Sequence, residues 1–493
     1  MLSIGRLILS TRVNHKIVSQ GKQVSGKKCN VLSEKSDDII IKTQKEFNTV
    51  DEYIILDKET KTIKNVIGKV GDKKDDLNIF YHLYTNNWLS NKNYKKLFEN
   101  NIDLKFDNIG LREEYFNKVY TIDPKDSIDL DDGFSFWEDD NFYYLDIHIA
   151  DPISYFDFSK KGIENIFNEL YKRVATCYIP QVSPTHLLPE FLLNEVTLIN
   201  NNSFSRAITF KYKFNKDNDY YDFKYSATKL YNIENTDYDT YDIKLNSDSD
   251  YKNTIIIFIK KMIRILNLKY DISKFDFNNN ISHSMIEIFM IWTNYTVGTY
   301  LNKECFPVIF RTQYVTEETK VTEEDIPDYV KSFLSYSANY EFKKEDKDYL
   351  HYSLGINNYA HVSSPMRRVV DMINHIFLHK INTNIIKLLN IDKLNETLKL
   401  QKRISNSYSL LKFLETTIRY KAFVLDIKEN EKNIFLLLVV YDKTTNLKKI
   451  IRVESPILST ERNIKKYSEI DIEIYYNSYN FHSNNFPFSI KIL

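Results

Sequence analysis

Short apolar runs separated by polar turns fill the first part of the chain. Four of them stand before residue 76: LILSTRV, DIIIKTQ, EYIILD and IKNVIGKV. Runs of this length, rich in β-branched residues and closed by turn residues, are typical of β-strands. We therefore expect a small antiparallel β-barrel over residues 1–75, with LSIGRLILSTRVNHKIV as its first strand. Small five-stranded barrels of this kind often bind single-stranded nucleic acid.

The pattern becomes helical and charged after residue 75, in LNIFYHLYTNNWL and NKNYKKLFENN. The region that follows begins with strand patterns such as FYYLDIHIA and RAITFKYKF. Long amphipathic patterns come later, in NTIIIFIKKMIRILNL, SMIEIFMIWTNYTVGTYL and MRRVVDMINHIFLHKI, and a helix over about residues 392–418 ends the region. This order predicts a mixed α/β (α+β) domain over residues 76–415 with a helical lead-in.

Five strand-like runs end the chain: YKAFVLDI, NIFLLLVVYD, LKKIIRV, IDIEIYY and PFSIKIL. None of them has a helical stripe, and the pattern predicts a second small barrel over residues 416–493. These runs contain no acidic cluster that could form a metal site. The lysines expected to contact phosphates there are Lys448, Lys449, Lys465 and Lys466.

Charge and cysteine content limit the class of protein. The chain has 67 basic and 67 acidic residues among 493, so attraction to nucleic acid must come from local patches. The three cysteines, Cys29, Cys177 and Cys305, form no CxxC pair, which argues against a zinc finger and indicates a reducing compartment. No apolar run approaches the ~18 residues that a membrane span needs. We expect a cytoplasmic protein with no membrane contact, and we interpret the basic N-terminus as a strand rather than an organelle-targeting peptide.

The stretch TIDPKDSIDLDD at residues 121–132 contains five aspartates and one lysine. Two carboxylates ~4 Å apart repel by ~1 kcal/mol in water and by ~4 kcal/mol at an effective dielectric near 20. Pro124 excludes a helix interior and indicates a loop that leaves a strand. The stretch is then either a solvated acidic turn or a cation site. A calcium loop of the EF-hand type fails, because aligning Gly133 as its glycine puts Ile128 and Leu130 at ligand positions. A magnesium site for phosphoryl transfer stays open.

The surroundings of this stretch carry a resemblance to a known family. TIDPKDSIDLDDGFSF followed by YYLDIHIADPISYF closely resembles the signature of the ribonuclease II/R family, whose catalytic unit is the RNB domain. HYSLGINNYAHVSSPMRRVVDMINHIFL contains the family's HxxLG, YAH, SPxR and DMINH elements in order. LREEYFNKVY, ATCYIPQVSPTHLLPEFL and SMIEIFMIWTNYTVG also resemble family segments. The resemblance implies a mixed α/β (α+β) RNB catalytic domain flanked by small OB-like β-barrels. The C-terminal barrel over residues 416–493 is then expected to bind RNA rather than to cut it.

The resemblance also implies roles for the aspartates. Asp123 and Asp132 would hold the principal Mg²⁺, with Mn²⁺ able to replace it. Asp131 would complete the metal site and orient the attacking water, and Asp129 would be an outer contact of that site or the ligand of a second ion. Asp126 matches no family position and is expected to be solvated.

Four further residues match family positions that contact RNA. Arg367 corresponds to the arginine that reaches the scissile phosphate, and Tyr178 to the tyrosine that stacks on the terminal base. Glu287 corresponds to an acid near the RNA end, and Arg368 is expected to be structural or a secondary phosphate contact. Four histidines at motif positions are interpreted as structural: His148, His351, His361 and His375.

These assignments predict a 3′–5′ exoribonuclease that hydrolyses single-stranded RNA to nucleoside 5′-monophosphates with Mg²⁺. The expected partner is single-stranded RNA, the expected state is a monomer, and membership of a larger complex stays open. One alternative is a catalytically silent RNB-fold protein that binds RNA or acts as a scaffold, and a second is a metal-dependent DNA nuclease. Since a silent relative is expected to lose at least one of the four aspartates or Arg367, the full set favours an enzyme.

Overall fold

A computed structural model describes most of the chain. It covers residues 2–19, 22–32, 38–85, 87–178, 183–200, 203–267, 281–315, 326–327, 330, 338–344, 347–413, 418–429, 433–442, 447–456, 464–476 and 488–492. Three large β-sheets follow one another along the chain, and most of the helices pack on the central sheet.

The N-terminal sheet has six strands: β1 (Leu2–Leu7), β2 (His15–Ser19), β3 (Lys22–Val31), β4 (Ile39–Lys42), β5 (Glu52–Asp57) and β6 (Thr62–Lys69). Its order is β1-β5-β6-β4-β3-β2, and β1 also pairs with β3. The β1–β3 pairing closes a ring of five strands, from which β2 extends as a hairpin with β3. This ring is OB-like, as expected for this part of the chain, and its boundary as a domain stays a prediction.

The predicted first strand is interrupted. Residues 8–14 form a loop between β1 and β2. The reason is that the Asp51 side chain binds backbone amides that would otherwise pair with a neighbouring strand. The Asp51 carboxylate accepts hydrogen bonds of 2.9 Å from the amides of both Leu9 and Ser10. The pattern also missed β3, whose sequence KQVSGKKCNV has few apolar positions.

Two helices, α1 (Lys73–Thr85) and α2 (Asn91–Glu99), form the predicted lead-in. α1 is attached to the N-terminal sheet by a hydrogen bond of 2.7 Å from the Tyr53 hydroxyl to the Asp76 carboxylate. α2 buries Tyr94 and Phe98 in a core that it shares with the central domain. The lead-in therefore joins the first sheet to the second.

The central sheet has seven strands: β7 (Glu113–Tyr115), β8 (Val119–Asp123), β9 (Asp132–Glu138), β10 (Phe142–Ala150), β11 (Ser205–Asn215), β12 (Tyr221–Leu230) and β13 (Ile233–Asp237). Its order is β13-β8-β9-β10-β11-β12-β7. β13 runs parallel to β8, with Asp237 in register beside Asp123. Four short strands form two small pairs beside it: β14 (Ile309–Thr312) with β15 (Asn339–Phe342), and β16 (Leu350–His351) with β17 (Ile356–Asn357).

Seven helices accompany this sheet in the described residues: α3 (Gly162–Arg173), α4 (Glu190–Val196), α5 (Tyr238–Ser247), α6 (Ser249–Leu266), α7 (Ile281–Lys303), α8 (Val369–Leu378) and α9 (Ile391–Phe413). α5, α6 and α7 share one apolar core with the sheet, and α3, α4 and α8 share a second. Every residue of α8 is buried. The helix predicted to reach residue 418 is shorter, because Ile418 already belongs to the next strand.

The C-terminal sheet contains five antiparallel strands: β18 (Ile418–Glu429), β19 (Asn433–Asp442), β20 (Leu447–Pro456), β21 (Glu469–Tyr476) and β22 (Phe488–Ile492). Each predicted run forms one of them, in the order β20-β19-β18-β21-β22. Lys466 pairs with Asp426 at 3.4 Å, and the side chains of Lys448 and Lys449 lie outside the described residues. The RNA-binding role and the boundary at residue 416 stay predictions. Across the described part of the chain, no helix has both the length and the apolarity needed to cross a membrane.

Candidate active site

The acidic stretch connects β8 to β9. Asp123 is the last residue of β8 and Asp132 is the first of β9, so both lie at the same end of the central sheet. Gly133 lets the two strands approach each other, because a β-carbon there would lie 2.9 Å from a methyl group of Val119. Pro124 lies in the connecting loop, as predicted.

Backbone contacts fix the end of this loop. The Leu130 amide donates to Thr197 Oγ1 at 2.9 Å, and the Leu130 carbonyl accepts a bond from the Leu198 amide at 3.1 Å. The Asp131 carbonyl accepts a bond of 2.8 Å from the amide of Ala150, the last residue of β10. Asp131 is thus held from two sides, and only 2% of its surface is exposed.

Asp131 contacts the second motif directly. Its Oδ1 accepts a hydrogen bond of 2.8 Å from the Met366 amide, and its Oδ2 lies 3.3 Å from Nε of Arg367. The side chain of Arg367 is 44% exposed, so its guanidinium pairs with the buried carboxylate and still faces solvent. Arg367 therefore lies directly beside the acidic stretch.

A buried polar network shapes the segment that carries Arg367. Asn294 in α7 accepts a hydrogen bond of 2.8 Å from the Val362 amide. Asp371 in α8 accepts one of 2.8 Å from the Ser364 amide. Because side chains from two buried helices bind its backbone, this segment has little freedom to move relative to the sheet.

Tyr178 reaches the same place from a third segment. The Thr176 amide donates to the Arg367 carbonyl at 2.9 Å, which places the two segments side by side. The Tyr178 hydroxyl donates to Asp129 Oδ2 at 2.7 Å, and 47% of the Tyr178 surface is exposed. The sequence-predicted site residues Asp129, Asp131, Tyr178 and Arg367 therefore lie in one cluster.

The Tyr178 segment begins with a strained turn. Val174 has φ 65° and ψ −48°, and the Ala175 amide donates to the Arg173 carbonyl at 2.7 Å. These values describe a γ-turn, which is unusual for a β-branched residue. The Val369 amide, at the start of α8, binds the Val174 carbonyl at 2.9 Å. The turn thereby anchors the segment to the helix that follows Arg367.

The carboxylates carry more negative charge than their surroundings neutralise. Burial, followed by the charges of Asp132 and Asp129, raises the pKa of Asp123 to about 8. Burial raises the pKa of Asp132 to about 6, although the Arg367 charge acts in the opposite direction. Burial also raises the pKa of Asp131 well above its usual range despite the nearby Arg367. A cation placed among these groups would stabilise their ionised forms.

The donor atoms suit a hard cation. Among the described residues, the Oδ2 atoms of Asp123 and Asp131 are buried without a hydrogen-bond partner, since Arg367 approaches Asp131 without the geometry of a hydrogen bond. In the same part of the chain, no three acidic, histidine or cysteine side chains are close enough to share an ion. The Asp129 carboxylate binds the Tyr178 hydroxyl, and the Asp131 carboxylate faces the Arg367 guanidinium. Mg²⁺ keeps several waters and needs only one or two carboxylates, so these residues fit it. The assignment of four ligands stays a prediction.

Arg368 has a different environment from its neighbour Arg367. Its Nε and Nη2 each donate at 2.8 Å to the buried Asp371 carboxylate. This pair agrees with the structural interpretation of Arg368, and a phosphate contact stays a prediction.

Glu287 is exposed on α7, one helical turn after His283. The His283 ring stacks on Tyr238 with 3.6 Å between ring centroids. Tyr238 directly follows Asp237, which lies in register beside Asp123, so Tyr238 is near the carboxylates. Burial, with further contributions from Asp132 and Asp123, raises the pKa of Tyr238 to about 12. Glu287 therefore lies on the helix face near the site, and its RNA contact stays a prediction.

His148 and His375, two of the four histidines at motif positions, bind structural partners. His148 contacts Thr209 Oγ1 at 2.9 Å, and His375 contacts the Val362 carbonyl at 2.7 Å. Each of these rings is fully buried, in agreement with the structural interpretation.

Sequence reasoning missed several supporting residues. Asp151 ends the HIAD segment and forms a buried ion pair with Arg112 at 2.7 Å and a hydrogen bond with His379 at 3.0 Å. Because Asp151 belongs to the HIAD motif, sequence reasoning could have identified it. Asn294 and Thr197 had no such signal, because their roles depend on backbone groups that are distant in sequence.

Comparison with known proteins gives a match to a domain profile, sequence likeness to curated relatives and fold likeness to solved structures. A profile of the RNB domain matches residues 111–336 and 319–384. Ribonuclease R of Aquifex aeolicus is 24% identical over 330 residues, which are 55% of this chain and 46% of that protein. The apo form of Mycoplasma genitalium RNase R superposes with a TM-score of 0.66 and 15% identity, covering 98% of this chain and 88% of that one. The same enzyme in complex with ribose methylated single-stranded RNA gives a TM-score of 0.65 and 14% identity, with coverage of 100% and 89%.

The chain spans about half the length of the curated relatives that it matches. The profile match covers more than half of the chain and contains the acidic stretch, the Tyr178 segment and the segment that carries Arg367. The fold likeness extends over the flanking sheets as well. With its two motifs joined at Asp131, this chain belongs to the RNB domain family.

Proposed function

We propose that this chain is a 3′–5′ exoribonuclease that hydrolyses single-stranded RNA to nucleoside 5′-monophosphates and depends on Mg²⁺. The observation that carries the proposal is the 3.3 Å contact between Asp131 and Arg367. It joins a buried carboxylate to an exposed guanidinium, the two kinds of group that phosphodiester hydrolysis needs side by side. The likeness to an RNase R bound to single-stranded RNA supports the substrate class.

The aspartates would hold the cation. Asp123 and Asp132 are the proposed principal ligands, because both leave the same end of the sheet and neither is the ion-pair partner of Arg367. Asp131 and Asp129 would complete the site. When bound, Mg²⁺ would supply hydroxide near neutral pH and offset charge on the phosphate. Asp131 would orient the water through the oxygen that faces Arg367.

Arg367 would bind the scissile phosphate. A guanidinium donates two parallel hydrogen bonds to phosphate oxygens and stabilises the charge that grows on them during the reaction. Arg367 stands two residues before α8, so the positive end of that helix lies in the same region. The buried network around Asn294 and Asp371 would keep this guanidinium in place while the strand advances.

Tyr178 would stack on the terminal base, since its ring is half-exposed beside the carboxylates. Stacking on an aromatic ring tolerates every base and contributes ~1–3 kcal/mol per base. This property suits an enzyme that removes nucleotides one after another from any sequence.

The test uses purified protein with end-labelled single-stranded RNA and DNA, with and without Mg²⁺. Asp131→Asn keeps the size of the side chain and removes one charge, and it should lower turnover at least ~100-fold. RNA affinity should stay equal or rise, because a charge that repels phosphate is gone. Asp126→Asn is the matched control, since Asp126 is exposed in the same loop.

Two results would contradict the proposal. Wild-type turnover in Asp131→Asn at saturating Mg²⁺ would make the acidic stretch a solvated turn. RNA binding by the wild-type chain without any Mg²⁺-dependent cleavage would instead indicate a silent RNA-binding protein of the same fold.

A further inference from the structure

The exposed side chain of Asn235 binds three partners at the edge of the central sheet. Asn235 lies in β13, the edge strand that runs parallel to β8. Its Nδ2 donates to Thr121 Oγ1 at 2.7 Å and to the Leu198 carbonyl at 2.8 Å. Its Oδ1 accepts a bond of 3.2 Å from the Asn200 amide. Both donor hydrogens of the amide are in use, and the side chain joins β8 to the segment that follows α4.

Each of these partners leads to one end of the acidic loop. Thr121 lies in β8 two residues before Asp123, the last residue of that strand. On the other side, the Leu198 amide donates to the Leu130 carbonyl at 3.1 Å, and Leu130 directly precedes Asp131. The asparagine side chain therefore connects the strand that ends at the first aspartate with the segment that holds the backbone in front of the later ones.

Strand pairing does little to set the distance between these two ends. β8 is paired along its whole length with β13, and β9 is paired from Asp132 onward with β10. Between β8 and β9, the described residues contain a single matched pair, Tyr120 with Phe134. The carboxylates of Asp123 and Asp132 also repel each other, which favours a wider separation. The Asn235 amide supplies a further connection at the end of the sheet where these carboxylates lie.

We propose that Asn235 is a positioning residue for the candidate active site, where it sets the separation between Asp123 and Asp132. This inference rests on the proposed function, in which those two aspartates are the principal ligands of the cation. Asn235 binds neither the ion nor the RNA in this role, because it acts through Thr121 and the backbone of Leu198. Loss of a group that supports metal ligands typically lowers metal affinity about 10–100-fold.

The direct test is Asn235→Ala, which removes all three hydrogen bonds. It should weaken Mn²⁺ binding at least ~10-fold. The affinity for single-stranded RNA in EDTA should stay within about twofold, because base stacking and phosphate contacts do not use this side chain. The urea midpoint should change little, because substitutions of exposed side chains usually have small effects on stability.

Mn²⁺ binding is measured without RNA, by the loss of the free-ion electron paramagnetic resonance signal on titration of the whole chain. RNA binding is measured separately in EDTA by fluorescence anisotropy. Asn232→Ala is the matched control, because Asn232 is exposed and lines the same surface pocket as Asn235. In the described part of the chain, its side chain reaches the Phe116 carbonyl at 3.5 Å rather than the segment that holds the loop. This control should change neither affinity.

Two substitutions at Thr121 give an independent test. Thr121→Val removes the hydroxyl that binds Asn235 and should weaken Mn²⁺ binding. Thr121→Ser keeps the hydroxyl and should retain Mn²⁺ binding, although it loses a methyl group from a buried position and should be less stable than the wild type. A purely structural role would not make Mn²⁺ affinity follow the hydroxyl.

The outcomes separate this inference from the proposed function. If the wild type binds Mn²⁺ in a manner that Asp123→Asn abolishes, and Asn235→Ala binds it equally well, the positioning role is wrong and the function stands. The role is also wrong if Asn232→Ala weakens Mn²⁺ binding as much as Asn235→Ala does. If Asn235→Ala does not fold, the order of the two Thr121 variants decides. If the wild type shows neither this Mn²⁺ binding nor Mg²⁺-dependent cleavage, the role and the function are both wrong.

Discussion

At the scale of single residues, two adjacent arginines show that the surroundings of a side chain determine what it can bind. Arg367 is 44% exposed and faces Asp131, whereas the neighbouring Arg368 is bound to Asp371, whose side chain has no exposed surface. An exposed guanidinium is free to bind a substrate anion. The Arg368 guanidinium is itself mostly buried and donates two hydrogen bonds to the Asp371 carboxylate, so it is committed to the fold, because breaking that pair leaves an uncompensated charge inside the protein.

The two arginines should therefore respond differently to substitution by alanine. Arg367→Ala should lower turnover at least ~100-fold and reduce the free energy of unfolding by only about 1 kcal/mol. Arg368→Ala should reduce the free energy of unfolding by about 3 kcal/mol, because Asp371 would lose its partner. Urea unfolding and single-turnover cleavage of labelled RNA measure the two effects. Equal losses of stability in both variants would contradict this separation.

At the scale of elements, the site depends on how closely α7 approaches the segment that leads to Arg367. A β-carbon at Gly298 in α7 would lie 2.0 Å from the carbonyl oxygen of Asn358 and 3.0 Å from the Ala360 amide nitrogen. Asn294, one turn earlier, binds the Val362 amide of the same segment. The helix therefore sets the position of the backbone that carries the guanidinium.

Gly298→Ala should reduce the free energy of unfolding by about 1–3 kcal/mol, because the added methyl group must displace a backbone carbonyl. It should also lower turnover, since the displaced segment carries Arg367. Thermal or urea unfolding gives the first effect, and RNA cleavage gives the second. The usual effect of this exchange in a helix is a gain of about 1 kcal/mol, and observing that gain would show that the close approach does not exist.

At the scale of the whole molecule, the N-terminal sheet supports the segment that carries Tyr178. One apolar cluster brings together residues from β1, β5, α1, the Tyr178 segment and α9: Ile4, Tyr53, Ile79, Tyr84, Cys177 and Ile404. The Tyr84 hydroxyl also donates to the Arg173 carbonyl at 2.9 Å, directly before the strained turn. The first sheet is therefore part of the support for the site.

Asp76 lies at this junction and makes stability depend on pH. Its side chain is fully buried, and burial raises its pKa to about 6. The folded state therefore favours the protonated acid, and the stability that this provides is lost as pH rises from about 4 through about 6. Asp76→Asn keeps an acceptor for the Tyr53 hydroxyl and should raise the free energy of unfolding by about 2 kcal/mol at pH 8.

The gain should disappear below about pH 3, where the wild-type carboxyl is protonated in both the folded and the unfolded state. Urea unfolding of both proteins at several pH values measures it, with Asp140→Asn as the control at an exposed position. A difference between Asp76→Asn and the wild type that does not vary with pH would contradict the assignment of the shift to Asp76.

The local pattern of apolar and polar residues was enough to predict much of the architecture. The five C-terminal runs, the long apolar helices and the loop at Pro124 follow from periodicity and from the shape of proline, which act over a few residues. The interruption at residues 8–14 could not be predicted, because it depends on a carboxylate at Asp51. The strand β3 was missed because its place in the sheet comes from pairing with three other strands, β1, β2 and β4, rather than from its own apolarity.

The sequence by itself determined which residues are candidates for the site, namely the aspartates, the arginine and the tyrosine that match the family motifs. It could do so because motif order is a property of the chain. The tertiary structure decided which of them touch: Asp131 with Arg367, and Asp129 with Tyr178. It also decided which acids lose their water and which oxygens stay unpaired, as at Asp123. Contacts and desolvation arise only when segments distant in sequence pack together, and so no local pattern contains them.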